Sequence, residues 1–287
     1  MASHKLTLAQ RIGINYYRTK IVMLKRVSTQ AAARAALDIF TRPFANTKKK
    51  DTALFKRANR FRFHSEGNIL MGYHFAGDKP GGKKLLILHG FAGSCRAFER
   101  FILPVIKKGY DVYTFDAPAH GLSKGKRLNA LMYRDAIVEM MKLHGPFDAY
   151  IAHSLGGLSL MLALEATPHT EPPKTVLIAP ATESITAADN FFGLLQLPTD
   201  LRLAFDKLIE DLRSLPLSWY SVSRVLPVVA ANILWVHDED DTTTPIKDVL
   251  PIAQIKPHNV QFHFTQGLGH SRIYRENKVK KLIVDFL

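Results

Sequence analysis

From Phe61 onward, short apolar runs alternate with stretches of helical periodicity, and few folds accommodate that rhythm. The first two runs, "RFRFHSEG" and "ILMGYHFAG", alternate polar and apolar residues and meet at Glu66-Gly67-Asn68, which reads as a hairpin. Six more follow: "LLILHG" (85–90), "DVYTFDAP" (111–118), "AYIAHS" (149–154), "TVLIAPA" (175–181), "NILWVHDEDD" (232–241) and "VQFHFTQG" (260–267). Helical patterns lie at about 96–108, 128–143, 156–167, 245–254 and 275–286. Near-continuous apolar strands need cover on both faces, because a wet face would expose the run. Two antiparallel strands followed by alternating strand and helix therefore predict an α/β fold. Its sheet is mostly parallel and eight-stranded, with an antiparallel start, and is flanked by helices.

Two stretches depart from the rhythm. Residues 184–230 hold no convincing strand but several helical patterns, and they are too long for a simple crossover. They read as a small helical cap inserted over the carboxyl edge of the sheet. Its Phe191, Phe192, Leu194, Leu195, Leu197 and Trp219 either line a pocket or form the cap's own core. Residues 1–60 read as a basic helical N-terminal extension, which leaves 61–287 as the main domain. The extension holds fourteen Lys/Arg against two Asp, so most of the +14 formal charge belongs to it.

A helix is expected over 5–27, with Leu6, Ala9, Gly13, Tyr17, Leu24 and Val27 on one face and Arg11, Arg18 and Lys25 opposite. A second, capped by Ser28 or Thr29, runs to about Phe40, and "NTKKKDT" (46–52) reads as a solvated linker. The extension has two readings. It is a helical segment packed on the body, or a peripheral membrane contact with its cations on anionic phosphates. Nucleic acid is the less favoured partner, because no recognised binding module accompanies the charge.

Composition narrows the class. Hydrophobic residues make up 47% of the 287, enough for a substantial core, and no apolar run approaches a membrane span. A single cysteine, Cys95, excludes an internal disulfide framework; with no visible secretory signal, a cytoplasmic setting is expected. There is no His-Glu-x-x-His and no paired Cys/His set, and "GGKK" (81–84) lacks the spacing of a phosphate-binding loop. Neither a metal nor a cofactor is expected.

Ligands of open parallel sheets bind beyond the carboxyl ends of the strands, so the polar residues there carry the functional information. They are His89-Gly90-Phe91-Ala92-Gly93-Ser94, Asp116-Ala117-Pro118-Ala119-His120-Gly121, Ser154, His237-Asp238-Glu239-Asp240-Asp241 and Gly267-Leu268-Gly269-His270. Serine, acid and histidine thus stand at three strand ends in that chain order. In "HGFAGS", "FDAPAHGLS", "AHSLGG", "HDEDDTTTP" and "GLGH", the chain from about 61 to 287 resembles the α/β-hydrolase-fold serine hydrolases of the esterase, lipase and thioesterase kind. The resemblance implies Ser154 as nucleophile, His270 as general base and Asp241 as acid. It also implies that the backbone N–H groups of Phe91 and Leu155 form an oxyanion hole. Relatives with Gly-x-x-Asp after this strand place the acid three residues past the glycine. Asp238 stands at the glycine's position, which points to Asp241, with Asp240 as fallback and Glu183 as a remote alternative.

The residue types suit that chemistry. A serine hydroxyl is a weak nucleophile at neutral pH, so an imidazole takes its proton during attack. A carboxylate fixes the tautomer of that imidazole and stabilises its charged form. The turn exposing such a serine is tight, and the positions two before and two after it must be small. Gly156 meets that need; Ala152 adds one methyl to the usual Gly-x-Ser-x-Gly, as in some lipases of this fold. The implied reaction is cleavage of a carboxylic ester or thioester, with a small or apolar acyl group, through an acyl-enzyme. The alternatives are a non-catalytic binding or membrane-surface protein on the same fold, or a C–C hydrolase or perhydrolase using the same residues. Dehalogenation is disfavoured, because it calls for an aspartate where Ser154 stands. His89 and His120 read as braces of loops, His153 as packing, and Cys95 as a small buried residue.

Overall fold

The computed structural model describes residues 7–44, 50–77, 81–167 and 169–287. All eight expected strands form: β1 (Asn59–Ser65), β2 (Asn68–Phe75), β3 (Lys83–Leu88), β4 (Tyr110–Phe115), β5 (Ala149–His153), β6 (Lys174–Ile178), β7 (Asn232–Asp238) and β8 (Val260–Thr265). They make one sheet in the order β1-β2-β4-β3-β5-β6-β7-β8. β1 is antiparallel to β2 and β2 to β4, and every later pairing is parallel. Central β5 is buried at every position, as an apolar strand with neighbours on both edges and cover on both faces must be. Its Ala152 sits in register between Leu88 of β3 and Leu177 of β6. The carboxyl ends of these three strands are therefore level.

The first helices are α1 (Leu8–Val27), α2 (Thr29–Phe40), α3 (Ala53–Arg57), α4 (Glu99–Lys107), α5 (Ala130–His144) and α6 (Leu155–Ala166). They are followed by α7 (Ser184–Leu195), α8 (Thr199–Arg213), α9 (Val222–Val225), α10 (Leu250–Ile255), α11 (Gly269–Arg272) and α12 (Asn277–Phe286). The chain divides into two compact units: Met1–Arg42 with Ser184–Tyr220, and Pro43–Glu183 with Ser221–Leu287. The first holds α1, α2, α7 and α8; the second holds the sheet and the remaining helices. This division differs from an extension ending at residue 60 and an insertion ending at 230. Asp51, in the expected linker, accepts hydrogen bonds from Arg96 and Arg60. Phe55 of α3 is buried with its ring 5.2 Å from those of Tyr73 and Phe75. Val222 and Val225 are likewise buried, and the Val222 N–H donates to the Thr182 carbonyl at 2.8 Å. Residues 46–49 of that linker, and residues 5 and 6 of the expected first helix, lie outside the described residues.

In the helical unit, Phe40, Phe191, Phe192 and Phe205 form ring pairs with centroids 5.2 to 5.8 Å apart. Edge-on pairs of this kind add about 0.5–1.5 kcal/mol each beyond area burial. Phe192 and Leu195 are thus buried in this unit's own core, whereas Leu194 is exposed. On α1, Ile21 is buried, and Gly13, Ile14, Tyr17 and Leu24 are half-buried. Lys25, expected on the solvated stripe, lies on this side and pairs with Asp200 at 2.6 Å. Ala9 and Val27, expected on the apolar packed face, are exposed.

Candidate active site

β5 ends at His153, and Ser154 turns the chain directly into α6 with φ 54° and ψ −125°. A positive φ at a residue with a Cβ costs about 1–3 kcal/mol, so the surroundings have to impose it. The Ser154 N–H donates to the Ile178 carbonyl at 3.1 Å, and its own carbonyl accepts from Gly157 and Ala181 at 2.9 and 3.0 Å. The turn also needs empty space. A Cβ on Gly156 would lie 2.6 Å from the His89 carbonyl oxygen, and one on Gly90 would lie 2.8 Å from the Ser154 Cβ. Ala152 keeps regular strand pairing, so its methyl is accommodated. Gly156→Ala is accordingly expected to destabilise the protein by about 1–3 kcal/mol, because the clash is with backbone. Urea unfolding of that variant against wild type measures the cost.

The Ser154 hydroxyl donates to His270 Nε2 at 2.9 Å, and His270 Nδ1–H donates to Asp241 Oδ2 at 2.7 Å. Three side chains from the ends of β5, β7 and β8 thus meet. Ser154 is buried, and the His270 side chain is 15% exposed, so the pair keeps an opening to solvent. Burial works against the charge on Asp241, but the hydrogen bond and charge of His270 and the donors of Thr244 outweigh it and hold the carboxyl below its usual range. Those donors are the Thr244 N–H to Oδ1 at 2.9 Å and the Thr244 hydroxyl to Oδ2 at 2.8 Å. Sequence reasoning did not single out Thr244; its place three residues after the acid, before Pro245, is the signal available.

The other acids have different partners. Asp240 accepts from the Gly267 N–H at 2.8 Å and is exposed. Glu183 accepts from the Ser221 hydroxyl at 2.9 Å and from that of Ser223. Asp238 is buried and ties β7 to the loop carrying His270, accepting from the Leu268 and Gly269 N–H groups at 3.0 and 2.8 Å and from the Thr265 hydroxyl at 2.7 Å. His153 Nε2–H donates to the His270 backbone carbonyl at 3.0 Å. Its burial, then the neighbouring His270, push its pKa down to about 3, so it stays neutral.

The loop after β3 is fixed by two neutral imidazoles. His89 Nδ1–H donates to the Gly90 carbonyl at 2.8 Å while its Nε2 accepts the Ala117 N–H at 3.0 Å. His120 Nδ1–H donates to the Pro118 carbonyl at 2.8 Å while its Nε2 accepts the Ala92 N–H at 3.0 Å. Beneath them, buried Arg96 joins Asp116 (3.2 Å), Asp51 (2.5 Å) and the Tyr73 hydroxyl oxygen (2.8 Å). Asp116 also accepts from the Cys95 and Leu122 N–H groups, which locks this loop to the one after β4. Cys95 itself is buried, and burial followed by the Asp116 charge raises its thiol pKa, so it stays protonated. Phe91 and Leu155 stand at the mouth of the β3 loop and the first position of α6. Neither N–H donates to an acceptor among the described residues.

A sheet of this order, with a serine at the strained turn after β5, is the architecture of the α/β hydrolases. The chain belongs to the serine aminopeptidase S33 family (Hydrolase_4), whose model matches residues 80–231, just over half of the 287. That match places it in the α/β-hydrolase superfamily. The uncharacterized hydrolase YugF of Bacillus subtilis (strain 168) is 28% identical over 111 residues, which cover 36% of this chain and 39% of that protein. The chain thus spans well under half the length of that curated relative. Esterase Pf2001 of Pyrococcus furiosus superposes with a TM-score of 0.63 at 17% identity, covering 86% of this chain and 95% of its own. A thioesterase domain from the curacin biosynthetic pathway gives 0.56 at 15% identity, covering 79% and 99%. At such identities the likeness is one of fold.

Proposed function

We propose that the protein is a serine hydrolase that cleaves carboxylic esters or thioesters through an acyl-enzyme. The carrying observation is the 2.9 Å contact between the Ser154 hydroxyl and an imidazole whose other nitrogen is held 2.7 Å from Asp241. As Ser154 Oγ attacks the substrate carbonyl carbon, its proton passes to His270 Nε2. The carbonyl oxygen becomes an oxyanion facing the Phe91 and Leu155 N–H groups, and one such donor contributes roughly 3–4 kcal/mol. The tetrahedral species collapses, and the departing alcohol or thiol takes the proton from His270. Water then gives its proton to the same nitrogen, attacks the acyl carbon, and releases the acid while the proton returns to Ser154.

The family's description names an aminopeptidase, so peptide hydrolysis is the competing substrate class. A peptide's α-ammonium needs a carboxylate with free oxygens. Asp238 and Asp241 at the strand ends are taken up by internal donors, whereas Glu183 accepts its two hydroxyl hydrogen bonds on Oε1 alone and Asp240 is exposed. The carboxylates therefore do not decide between esters and N-terminal peptides, and the substrate assay below does. A small or apolar acyl group remains part of the proposal.

A fluorophosphonate probe is expected to label wild type and to spare Ser154→Ala. Equal labelling of both proteins would place the nucleophile elsewhere, and no labelling of either would favour a binding protein. Turnover of an aminoacyl naphthylamide without turnover of p-nitrophenyl esters would reassign the substrate to peptides.

A further inference from the structure

The sequence placed the apolar face of the first helix on Leu6, Ala9, Gly13, Tyr17, Leu24 and Val27, but the structure leaves another apolar row on α1 open to solvent. Leu8, Ile12, Tyr16, Met23 and Val27 are each between 55% and 87% exposed. At 3.6 residues per turn they fall within an arc of about 100° on one side of the helix. That row lies away from buried Ile21 and half-buried Ile14, Tyr17 and Leu24. It runs the length of a 20-residue helix, or about 30 Å.

Charge says what covers it. α1 carries five cations, Arg11, Arg18, Lys20, Lys25 and Arg26, and no Asp or Glu. Lys25 is used inside the unit by Asp200. The other four are exposed; Arg11, Arg18 and Arg26 border one edge of the row and Lys20 the other. None of these four has an ion pair among the described residues. A second copy of the chain docked row to row would bring like charges together with no acid on α1 to offset them. A surface that is apolar below and anionic at its rim matches both features at once.

We propose that α1 is a docking face for an anionic lipid bilayer. The helix lies flat, with Leu8, Ile12, Tyr16, Met23 and Val27 at the boundary of the acyl chains and Arg11, Arg18, Lys20 and Arg26 on headgroup phosphates. No helix among the described residues is long and apolar enough to cross a membrane, so the contact is along the surface. The proposal is independent of the catalytic reading, because its measurements do not involve hydrolysis.

The test is co-sedimentation of the full chain with vesicles of phosphatidylcholine alone and of phosphatidylcholine mixed with phosphatidylserine. Wild type is expected to bind the mixed vesicles and not the neutral ones, and less as salt rises. Ile12→Ser/Met23→Ser keeps every charge and alters only exposed side chains; it is expected to bind at least tenfold more weakly. Arg11→Gln/Lys20→Gln is expected to lose several-fold on mixed vesicles. With Tyr16→Trp, indole emission is expected to shift blue on mixed vesicles. Unchanged binding of the serine double variant would reduce the effect to net charge and overturn the proposal. So would binding to neither vesicle, or a wild-type dimer that the same two serines dissociate in sedimentation velocity.

Discussion

Ser154→Ala, His270→Ala and the double variant are expected to lose ester hydrolysis by nearly the same factor, on the order of 10⁵–10⁶ in kcat. The equality is the sharper part of the expectation. The hydroxyl proton has one acceptor, His270 Nε2 at 2.9 Å. Without the imidazole the oxygen is an ordinary alcohol, and without the oxygen the imidazole has nothing to activate. Removing the second partner therefore removes little more. Asp241→Asn is expected to cost less, about 10⁴, because it misplaces the tautomer without removing a reacting group. An amide that turns its NH₂ toward His270 Nδ1 favours the proton on Nε2, where it blocks acceptance from Ser154. The residual rate over water is expected from the proposed Phe91 and Leu155 donors. Steady-state kinetics on a p-nitrophenyl ester, with circular dichroism to show folding, give all four numbers. Losses that multiply between Ser154 and His270 would mean that the two act separately.

Legibility in the sequence followed chemistry that leaves a local trace. Runs such as "LLILHG" and "AYIAHS" have to be strands covered on both faces, so the sheet and its antiparallel start could be read directly. That a serine, an acid and a histidine stand at three strand ends was legible because each follows such a run, whereas the choice of Asp241 rested on the resemblance. What could not be read was pairing across the chain. Asp51 looked like a linker residue, yet it meets Arg96 45 residues later, and nothing periodic links the two. Asp238, Asp240 and Asp241 are alike as letters; only the fold shows Asp238 facing loop amides and Asp241 facing the imidazole. Periodicity along α1 found a packed side at Gly13, Tyr17 and Leu24, but Lys25 was drawn inward by Asp200, and the face read from the sequence did not include the exposed Leu8, Ile12, Tyr16 and Met23 beside it. Periodicity reports that faces exist, while the partner elements decide which of them is covered.

Lowering the pH from 6.5 to about 5 is expected to cost the folded state about 3 kcal/mol through His120 and His153 alone, before the carboxylates respond. Burial, then the neighbouring His89, push His120 down to about 4; burial, then His270, push His153 down to about 3. Unfolded, both titrate near 6.5. Between these values the unfolded chain binds protons that the folded chain excludes, so stability rises with pH and falls on acidification. Each group contributes about 1.4 kcal/mol per pH unit in that window. His89 and His237, also lowered by burial, act in the same direction. Asp51 and Asp241 act in a lower window. Their pKa values lie below the ordinary 3.8, so the stability they confer is present above that value and is lost as pH falls through the folded one. The histidine effect reaches the site itself, because a second proton on His120 would go to Nε2, the atom that accepts the Ala92 N–H beside Phe91. Acid is thus expected to release the β3 loop and weaken the proposed oxyanion donor together with the fold. Urea unfolding at steps between pH 7 and about 5 measures the slope. His153→Gln, which keeps an N–H donor for the His270 carbonyl, is expected to flatten that slope by one proton, about 1.4 kcal/mol per pH unit. A stability that does not change across this interval would mean that these imidazoles accept protons in the folded state, and the two-imidazole brace of the loop would have to be redrawn.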